Sequence, residues 1–488
     1  MKIEILDGKS TIGGNKILIS DKSTSIFLDF GKNFKTWGNY FEEFIQPRAT
    51  TGTLYDLWQL GLLPHYSNIY REDLMLDSFE EVVKKEPMLD ISAVMLSHAH
   101  LDHAGYIPFL KDTIPVISTV ITKRLLKAIQ DTGDGKVFSQ FVDITKRLPV
   151  KDTFSNDILK SGGSKEKQPR EFKVDNEGKI GTIAYKLFHT DHSIPGAMAA
   201  YLEVDGKSVA YTGDIRFCGK NKQGSFDFVK NVKNPDILIT EGTKFTEDNN
   251  EKVVSENDVF NTCLDTVKQY AGKFIIADFG ARNVERLNTF LNIAEMTNRK
   301  LIITIKDAYM LYVISDDFEK DPDTINIINN DNILIFAEKR GDNKAWVKEM
   351  YEKYKDRFIT ADKIKENVGD YIICFSFWDI VDFLDIKADG GAYIYSSSEA
   401  YTEEQIIDMN RLLNWINYFR LKPFGIKYNN GIEFDRKYHS SGHASYHEIV
   451  NMIEEIKPKI LIPVHTENPL LFQKVFGKSM QVVNRLEQ

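Results

Sequence analysis

A chain of 488 residues with 42% hydrophobic and 12% aromatic content is globular and too long for one core, which predicts two or three domains and excludes a disordered or fibrous protein. A net charge of −9 excludes a uniformly basic nucleic-acid coat and leaves room for a local basic groove. Three cysteines in no redox or metal spacing, no basic-then-apolar leader and no apolar run of membrane length predict a soluble, cytoplasmic protein that does not bind membranes.

Residues 1 to 30 predict strands at Lys2 to Leu6, Lys16 to Ser20 and Ser25 to Phe30, separated by Gly-rich turns. Asp29 ends the third, where an acid is either a turn former or a group that orients imidazoles bound to metal. The aromatic segment from 33 to 90 reads as an insertion beside the site that finishes in a helix from Arg71 to Lys85, with His65 a loop or core histidine. The apolar run Ile91 to Leu96 then delivers Ser97-His98-Ala99-His100-Leu101-Asp102-His103. His98 and His100 project to one side of an extended segment, and Asp102 and His103 follow on the next bend to serve a neighbouring ion. Imidazole mixed with carboxylate suits zinc and related divalent ions better than calcium or magnesium.

Further on, a short helix over Ala104 to Leu110, a strand at Pro115 to Ser118 and a helix over Thr122 to Asp131 establish strand-helix alternation. Residues 151 to 179, including Ser161 to Lys167, predict a polar surface loop. A strand from Ile180 to Phe188 leads to His192, a candidate third imidazole, with His189 a polar strand end. A hairpin of Ala197 to Val204 and Lys207 to Tyr211 closes on Asp205-Gly206 and ends in Asp214, an acid placed to bridge two cations. Pro235 to Thr240 repeats the pattern and ends in Glu241.

From 246 to 430 longer helices and strands alternate without ligand spacing, which predicts an inserted α/β domain that binds substrate rather than metal. Within it Arg282 and Arg286 open a helix and Ser396-Ser397-Ser398 follows a strand. Guanidinium, hydroxyls and amides there form either a pocket for a terminal phosphate or an ordinary helix face and loop. Residues 436 to 488 return to site chemistry with His439, Ser441, His443, a helix from Ala444 and a strand ending at His465. His447 reads as helix surface, because the strand-end groups already complete two coordination shells. Lys123, Arg124, Lys127, Arg436 and Lys437 are candidates to line a groove.

Taken in order, Asp29, His98-x-His100-x-Asp102-His103, His192, Asp214, Glu241, a long insertion, His439-x-Ser441-Gly442-His443 and His465 resemble the metallo-β-lactamase-fold nucleases with a β-CASP domain, most closely the ribonuclease J branch. The ligand quartet alone fits glyoxalase II-like hydrolases, lactonases and transfer-RNA maturation nucleases equally well. Glu241, the insertion after it and the His-x-Ser-Gly-His run carry the narrower likeness. The resemblance implies an α/β fold, a metallo-β-lactamase αββα sandwich with an inserted β-CASP α/β domain, over 1–245, 246–430 and 431–488. It further implies two Zn2+, with Mn2+ able to replace them, one on His98, His100 and His192 and the other on Asp102, His103 and His465, with Asp214 between. Hydroxide activated by the two metals would hydrolyse single-stranded RNA by 5′-to-3′ exonuclease or endonuclease action. His443 would protonate the leaving oxygen, Glu241 would fix its tautomer, and His439 and Ser441 would contact the scissile phosphate. The alternatives are a β-CASP DNA nuclease or repair exonuclease, and a metal-bearing RNA-binding protein whose catalysis has lapsed. With 23 residues after His465, the C-terminal self-association domain of that branch has no counterpart, so dimerisation stays open.

Overall fold

Runs of alternating apolar residues assemble into three seven-stranded sheets in this computed structural model, which describes residues 1–42, 44–49, 52–151, 157–161, 167–247, 252–315, 327–339, 344–387, 389–398, 403–428, 431–483 and 486–487. The first sheet runs Phe172–Lys173, Val116–Ile117, Ala93–Met95, Ser25–Phe30, Lys16–Ser20, Lys2–Asp7, Leu486–Glu487. The second runs Glu177–Ile180, Ile183–His189, Met198–Val204, Lys207–Tyr211, Ile237–Thr240, Ile460–Pro463, Gln481–Val482. Period-two patterning gives each strand an inner face. Ile17, Ile19, Ile26, Leu28 and Met95 of the first sheet meet Leu187, Leu202, Val209, Ile237 and Ile462 of the second in one buried layer. Full burial of such side chains contributes about 1.5–3 kcal/mol each, so this layer fixes how the two strand edges stand against each other.

Helices cover the outer faces and complete an αββα sandwich. On the second sheet these are Lys222–Asn231, Tyr446–Ile456 and Pro469–Phe476, through Phe228, Ile453 and Phe472. The aromatic segment covers the first sheet, where Trp37, Phe41, Leu57, Trp58 and Tyr70 pack with Leu18, Phe27 and Phe30. Its helix is shorter than expected, a 3-10 turn at Glu72–Leu74 and then Asp77–Val83. The shortening has a cause in Arg71, which is buried with its guanidinium forked onto Asp73 at 3.0 and 2.7 Å and bonded to Gln140. The expected loop at 151–179 holds strands at Arg147–Lys151, Asp157–Ser161, Gln168–Pro169, Phe172–Lys173 and Glu177–Ile180, while 152–156 and 162–166 lie outside the described residues.

The third sheet is parallel throughout, in the order Phe358–Ile359, Ile333–Phe336, Lys300–Ile303, Tyr371–Cys374, Phe274–Asp278, Gly391–Tyr395, Leu421–Phe424. Parallel strands require crossovers and burial on both faces. Helices Glu256–Gln269, Val284–Met296 and Ile305–Ser315 take one face, and Ala361–Glu366 and Glu403–Tyr418 the other. Helix Ile305–Ser315, which the apolar run through Ile303 conceals in the sequence, also packs toward helix Val120–Thr132, where Tyr309 donates to Asp131 at 2.7 Å. Three cysteines are free. Among the described residues no helix is long and apolar enough to cross a membrane.

Candidate metal centre

The central strands of both sandwich sheets end along one edge, and each delivers a polar side chain there. Ala93–Met95 leads through Ser97 into His98, and His100 caps a short helix that carries Asp102 and His103 in its only turn. Residues 192, 214, 241 and 465 follow the strands that end at His189, Tyr211, Thr240 and Pro463. Asp29 arrives by a bulge: Lys16 pairs with Phe30 and Ile17 with Leu28, which leaves Asp29 extra at φ 56 and turns its carboxylate into the site. His465 is likewise held left-handed at φ 51, its N–H donating to Gly8 at 2.7 Å. Gly31 permits the close approach of this layer, since a Cβ there would lie 1.7 Å from the Asp102 carbonyl oxygen.

Two ligand groups stand side by side, His98 with His100 and His192, and Asp102 with His103, Asp214 and His465, and a third set, Asp214 and His465 with Glu241 and His443, overlaps the second. Their proton positions follow from the partners behind them. Ser97 Oγ donates to Asp29 at 2.9 Å, so His98 Nδ1, 3.0 Å from that oxygen, is the donor to it. His103 Nδ1 donates to Asp29 at 2.7 Å and His192 Nδ1 to the Gly442 carbonyl at 2.5 Å. Thr243 points its hydroxyl proton at the His465 carbonyl and accepts His465 Nδ1–H at 2.8 Å. All four Nε2 lone pairs therefore face inward.

There they meet one another and two carboxylates. His98 and His192 Nε2 lie 3.0 and 3.1 Å from His100 Nδ1, whose single proton can satisfy one of them at most. Asp214 Oδ2 stands 3.2 Å from His103, 3.7 Å from His98 and His192, and 3.8 Å from His465. His103 Nε2 and Asp214 Oδ1 are buried with no hydrogen-bond partner among the described residues. Buried lone pairs facing lone pairs are costly without a cation between them. The donor set thus fits divalent metal. Protonation of the first group agrees with this, whereas at His103 burial is outweighed by the Asp214, Asp102 and Asp29 carboxylates, which raise that imidazole well above its ordinary range. Burial drives His98 and His192 well below the ordinary imidazole range and takes His100 to about 4. Burial pushes Asp102 and Asp214 upward, but the adjacent His103 and His465 outweigh it and hold both below the usual carboxylate range.

His443 stands at the rim with its ring 5.2 Å from His192, and its Nδ1 donates to Glu241 Oε2 at 2.9 Å. Burial lowers the His443 pKa, yet Glu241 and Asp214 carry it up to about 9. Glu241 is itself fixed by the Ile215 N–H at 2.7 Å. The loop before His443 is clamped by two fully buried arginines that share Glu256. Arg216 reaches Asp191, Glu256, Glu285 and the Ser441 carbonyl, and Arg286 reaches Glu256 and the carbonyls of Ser396 and Tyr438.

This network separates the members of the expected phosphate pocket. Ser396 is buried, with its hydroxyl between Arg286 and the Tyr438 carbonyl at 2.5 Å to each, and Arg286 is taken up by Glu256, so both act as structural ties. Ser397 is half-buried and Ser398 exposed. The Arg282 guanidinium has no hydrogen-bond or ion-pair partner among the described residues, and Asp102 and His100 feel its charge. His439 contacts the Ser396 carbonyl at 3.3 Å, and its pKa falls to about 4 by burial and by Arg286. Ser441 Oγ accepts the His443 N–H at 3.1 Å. Both His439 and Ser441 line a small cavity with His443 and Arg436. His447 is exposed and His65 stacks on Trp58 at 3.9 Å. Lys127, expected in a groove, is paired with Asp131 and Asp143. Thr243, Tyr211, Arg216 and Glu256 were not singled out by sequence, because nothing in their local spacing distinguishes a residue that ties back a ligand from one in a core.

The family described as Metallo-beta-lactamase superfamily matches residues 72–255, and that described as Zn-dependent metallo-hydrolase RNA specificity domain matches 435–471. The chain is 23% identical to a ribonuclease J of Mycoplasma genitalium over 80% of this chain and 60% of that protein. It is 22% identical to a ribonuclease J of Methanocaldococcus jannaschii over 95% of this chain and 91% of that one. The chain spans about three fifths of the length of its Mycoplasma relatives. A solved protein of unknown function from Enterococcus faecalis V583 shares the fold with a TM-score of 0.70 and 20% identity, over 100% of this chain and 98% of that one. In fold, motif order and relatives, the chain is similar to the ribonuclease J proteins and carries a region that matches the metallo-β-lactamase superfamily.

Proposed function

We propose that this chain is a zinc-dependent ribonuclease that hydrolyses phosphodiester bonds in single-stranded RNA at a centre of two metal ions, with residues 246–430 forming the inserted domain over the site. The observation that carries this reading is the His443–Glu241 pair, 2.9 Å apart, at the edge of the two ligand groups. One ion would lie on His98, His100 and His192 and the other on Asp102, His103 and His465, with Asp214 shared. When bound they supply Lewis-acid neutralisation of phosphate charge and activation of water.

The chain's own groups do the rest. Asp29, Ser97 and Thr243 hold the ligand imidazoles in one tautomer, which keeps the lone pairs directed inward before metal arrives. Glu241 holds the Nδ1 proton of His443, so Nε2–H is the one presented to the leaving 3′-oxygen, and His443 delivers that proton as the P–O bond breaks. His439 and Ser441 would contact the scissile phosphate. Arg282 with Ser397 and Ser398 would receive a 5′-terminal phosphate, the element that favours 5′-to-3′ exonuclease action.

The test is digestion of end-labelled RNA and DNA carrying 5′-monophosphate, 5′-triphosphate or 5′-hydroxyl, by wild type and His443→Ala. RNA is expected to be degraded from a 5′-monophosphate end, and His443→Ala to be folded but inactive. Activity confined to DNA, or a fully active His443→Ala, would overturn the assignment.

A further inference from the structure

Beyond the metal centre, three cavities join end to end. The one at His443 shares Lys252, Val254 and Arg436 with a second of about 630 Å³, which shares Lys427, Glu433 and Asp435 with a third of about 1000 Å³. Together they are lined by six Lys or Arg and three Asp or Glu, the opposite balance to a chain of net charge −9. Two of the three acids are also engaged locally: Glu448 caps Ser445 at 2.8 Å, and Asp435 accepts the Lys437 N–H at 3.3 Å and lies 3.9 Å from Lys427.

One wall of the third cavity is helix Glu403–Tyr418, which presents Asn410, Asn414 and Asn417. Spacings of four and three residues put them on one face over roughly 10 Å. All three are exposed. Asparagine is a poor helix former, and three in succession on one exposed face run against helix stability. Each carboxamide offers a donor and an acceptor side by side, as the edge of a base does, with one Asn410 N–H given to the Ile406 carbonyl at 3.0 Å and its second left over. Opposite them stand Phe424, Lys427 and Tyr428, whose ring is 67% exposed. Basic residues, amides and an open aromatic face are the ingredients of a single-stranded nucleic-acid site.

We propose that this groove is a track for single-stranded RNA running from His443 past Arg436 and Lys437 to the asparagine face, with Tyr428 as a stacking platform. It rests on the ribonuclease reading and adds a grip on nucleotides remote from the cleaved bond. Long RNA is bound more tightly than short RNA through these contacts, without any part in the chemistry.

The test measures fluorescence anisotropy of two labelled oligoribonucleotides, one long and one only long enough to fill the metal centre, on the metal-loaded full chain in a non-cleaving His443→Ala background. Asn410→Ala/Asn414→Ala/Asn417→Ala and, separately, Tyr428→Ala are surface changes. Each is expected to weaken long RNA about tenfold and to leave short RNA unchanged. Lys437→Glu should lower the salt dependence of long-RNA binding by about one ion. Unchanged affinity for long RNA in all three variants would assign the face to a different macromolecule and overturn the track. If the parent chain binds and cleaves long RNA and only the variants fail to respond, the track alone is wrong. If the parent neither binds nor cleaves RNA, the ribonuclease reading falls with it.

Discussion

Glu241→Gln isolates one proton in the proposed reaction while leaving volume and metal ligands in place. Glu241 accepts three N–H groups, Ile215 through Oε1 at 2.7 Å, and His443 Nδ1 at 2.9 Å and the Thr243 N–H at 3.4 Å through Oε2. A carboxamide has one oxygen, so it must face one of these donors with its own NH2. If the oxygen keeps the fixed backbone N–H of Ile215, the NH2 opposes His443 Nδ1–H and the imidazolium loses its charge-assisted bond. That bond is worth about 1.5–3 kcal/mol, so the rate on RNA should fall roughly 10- to 150-fold, within the range that general-acid donation contributes. The assay pairs RNA with bis(4-nitrophenyl) phosphate, whose nitrophenolate departs without a proton. Loss is expected on RNA, with much less on the nitrophenyl ester and unchanged metal content. Equal losses on both substrates would refute the role of Glu241 as the orienter of an acid.

Two further substitutions report on geometry and on burial. Gly31→Ala places a Cβ 1.7 Å from the Asp102 carbonyl and should weaken metal binding at least about tenfold, or about 1.4 kcal/mol, as read by competition with a chromogenic chelator. Gly280→Ala, with nothing within 4 Å of its Cβ, is the control and should change neither metal affinity nor stability by more than about 0.5 kcal/mol. Burial pushes the Asp278 carboxyl up to about 7 against a hydrogen bond from Tyr393. Because its folded pKa is raised, its ionisation destabilises the fold above pH 7, and the penalty fades as the folded state takes up a proton between pH 7 and 4. Asp278→Asn should therefore be more stable than wild type at pH 8, by at most about 4 kcal/mol, with the gap closing toward pH 4 in denaturant titrations. A gap independent of pH would contradict this.

The groups that stand at strand ends were readable in the sequence because a short apolar run followed by His, Asp or Glu is a local pattern, and the structure gathers His98, His100, Asp102, His103, His192, Asp214, Glu241, His443 and His465 into one cluster. What holds them was not readable. Asp29 turns inward only because a bulge one residue long reverses its side chain, and Arg216 and Arg286 meet across Glu256 from segments 30 to 70 positions apart. Such ties are long-range and leave no periodicity. Ser396 shows the converse error: three serines after a strand suggested a ligand pocket, yet the first is consumed by Arg286 inside the fold. Helix Ile305–Ser315 was missed because its apolar residues continue directly from the strand Lys300–Ile303.

The most direct test of the account counts metal ions and cleavage together. Elemental analysis of the purified full chain should give two divalent ions per chain, chelation should abolish hydrolysis of single-stranded RNA, and added Zn2+ or Mn2+ should restore both. A chain stripped of metal that still hydrolyses RNA at the original rate would contradict it.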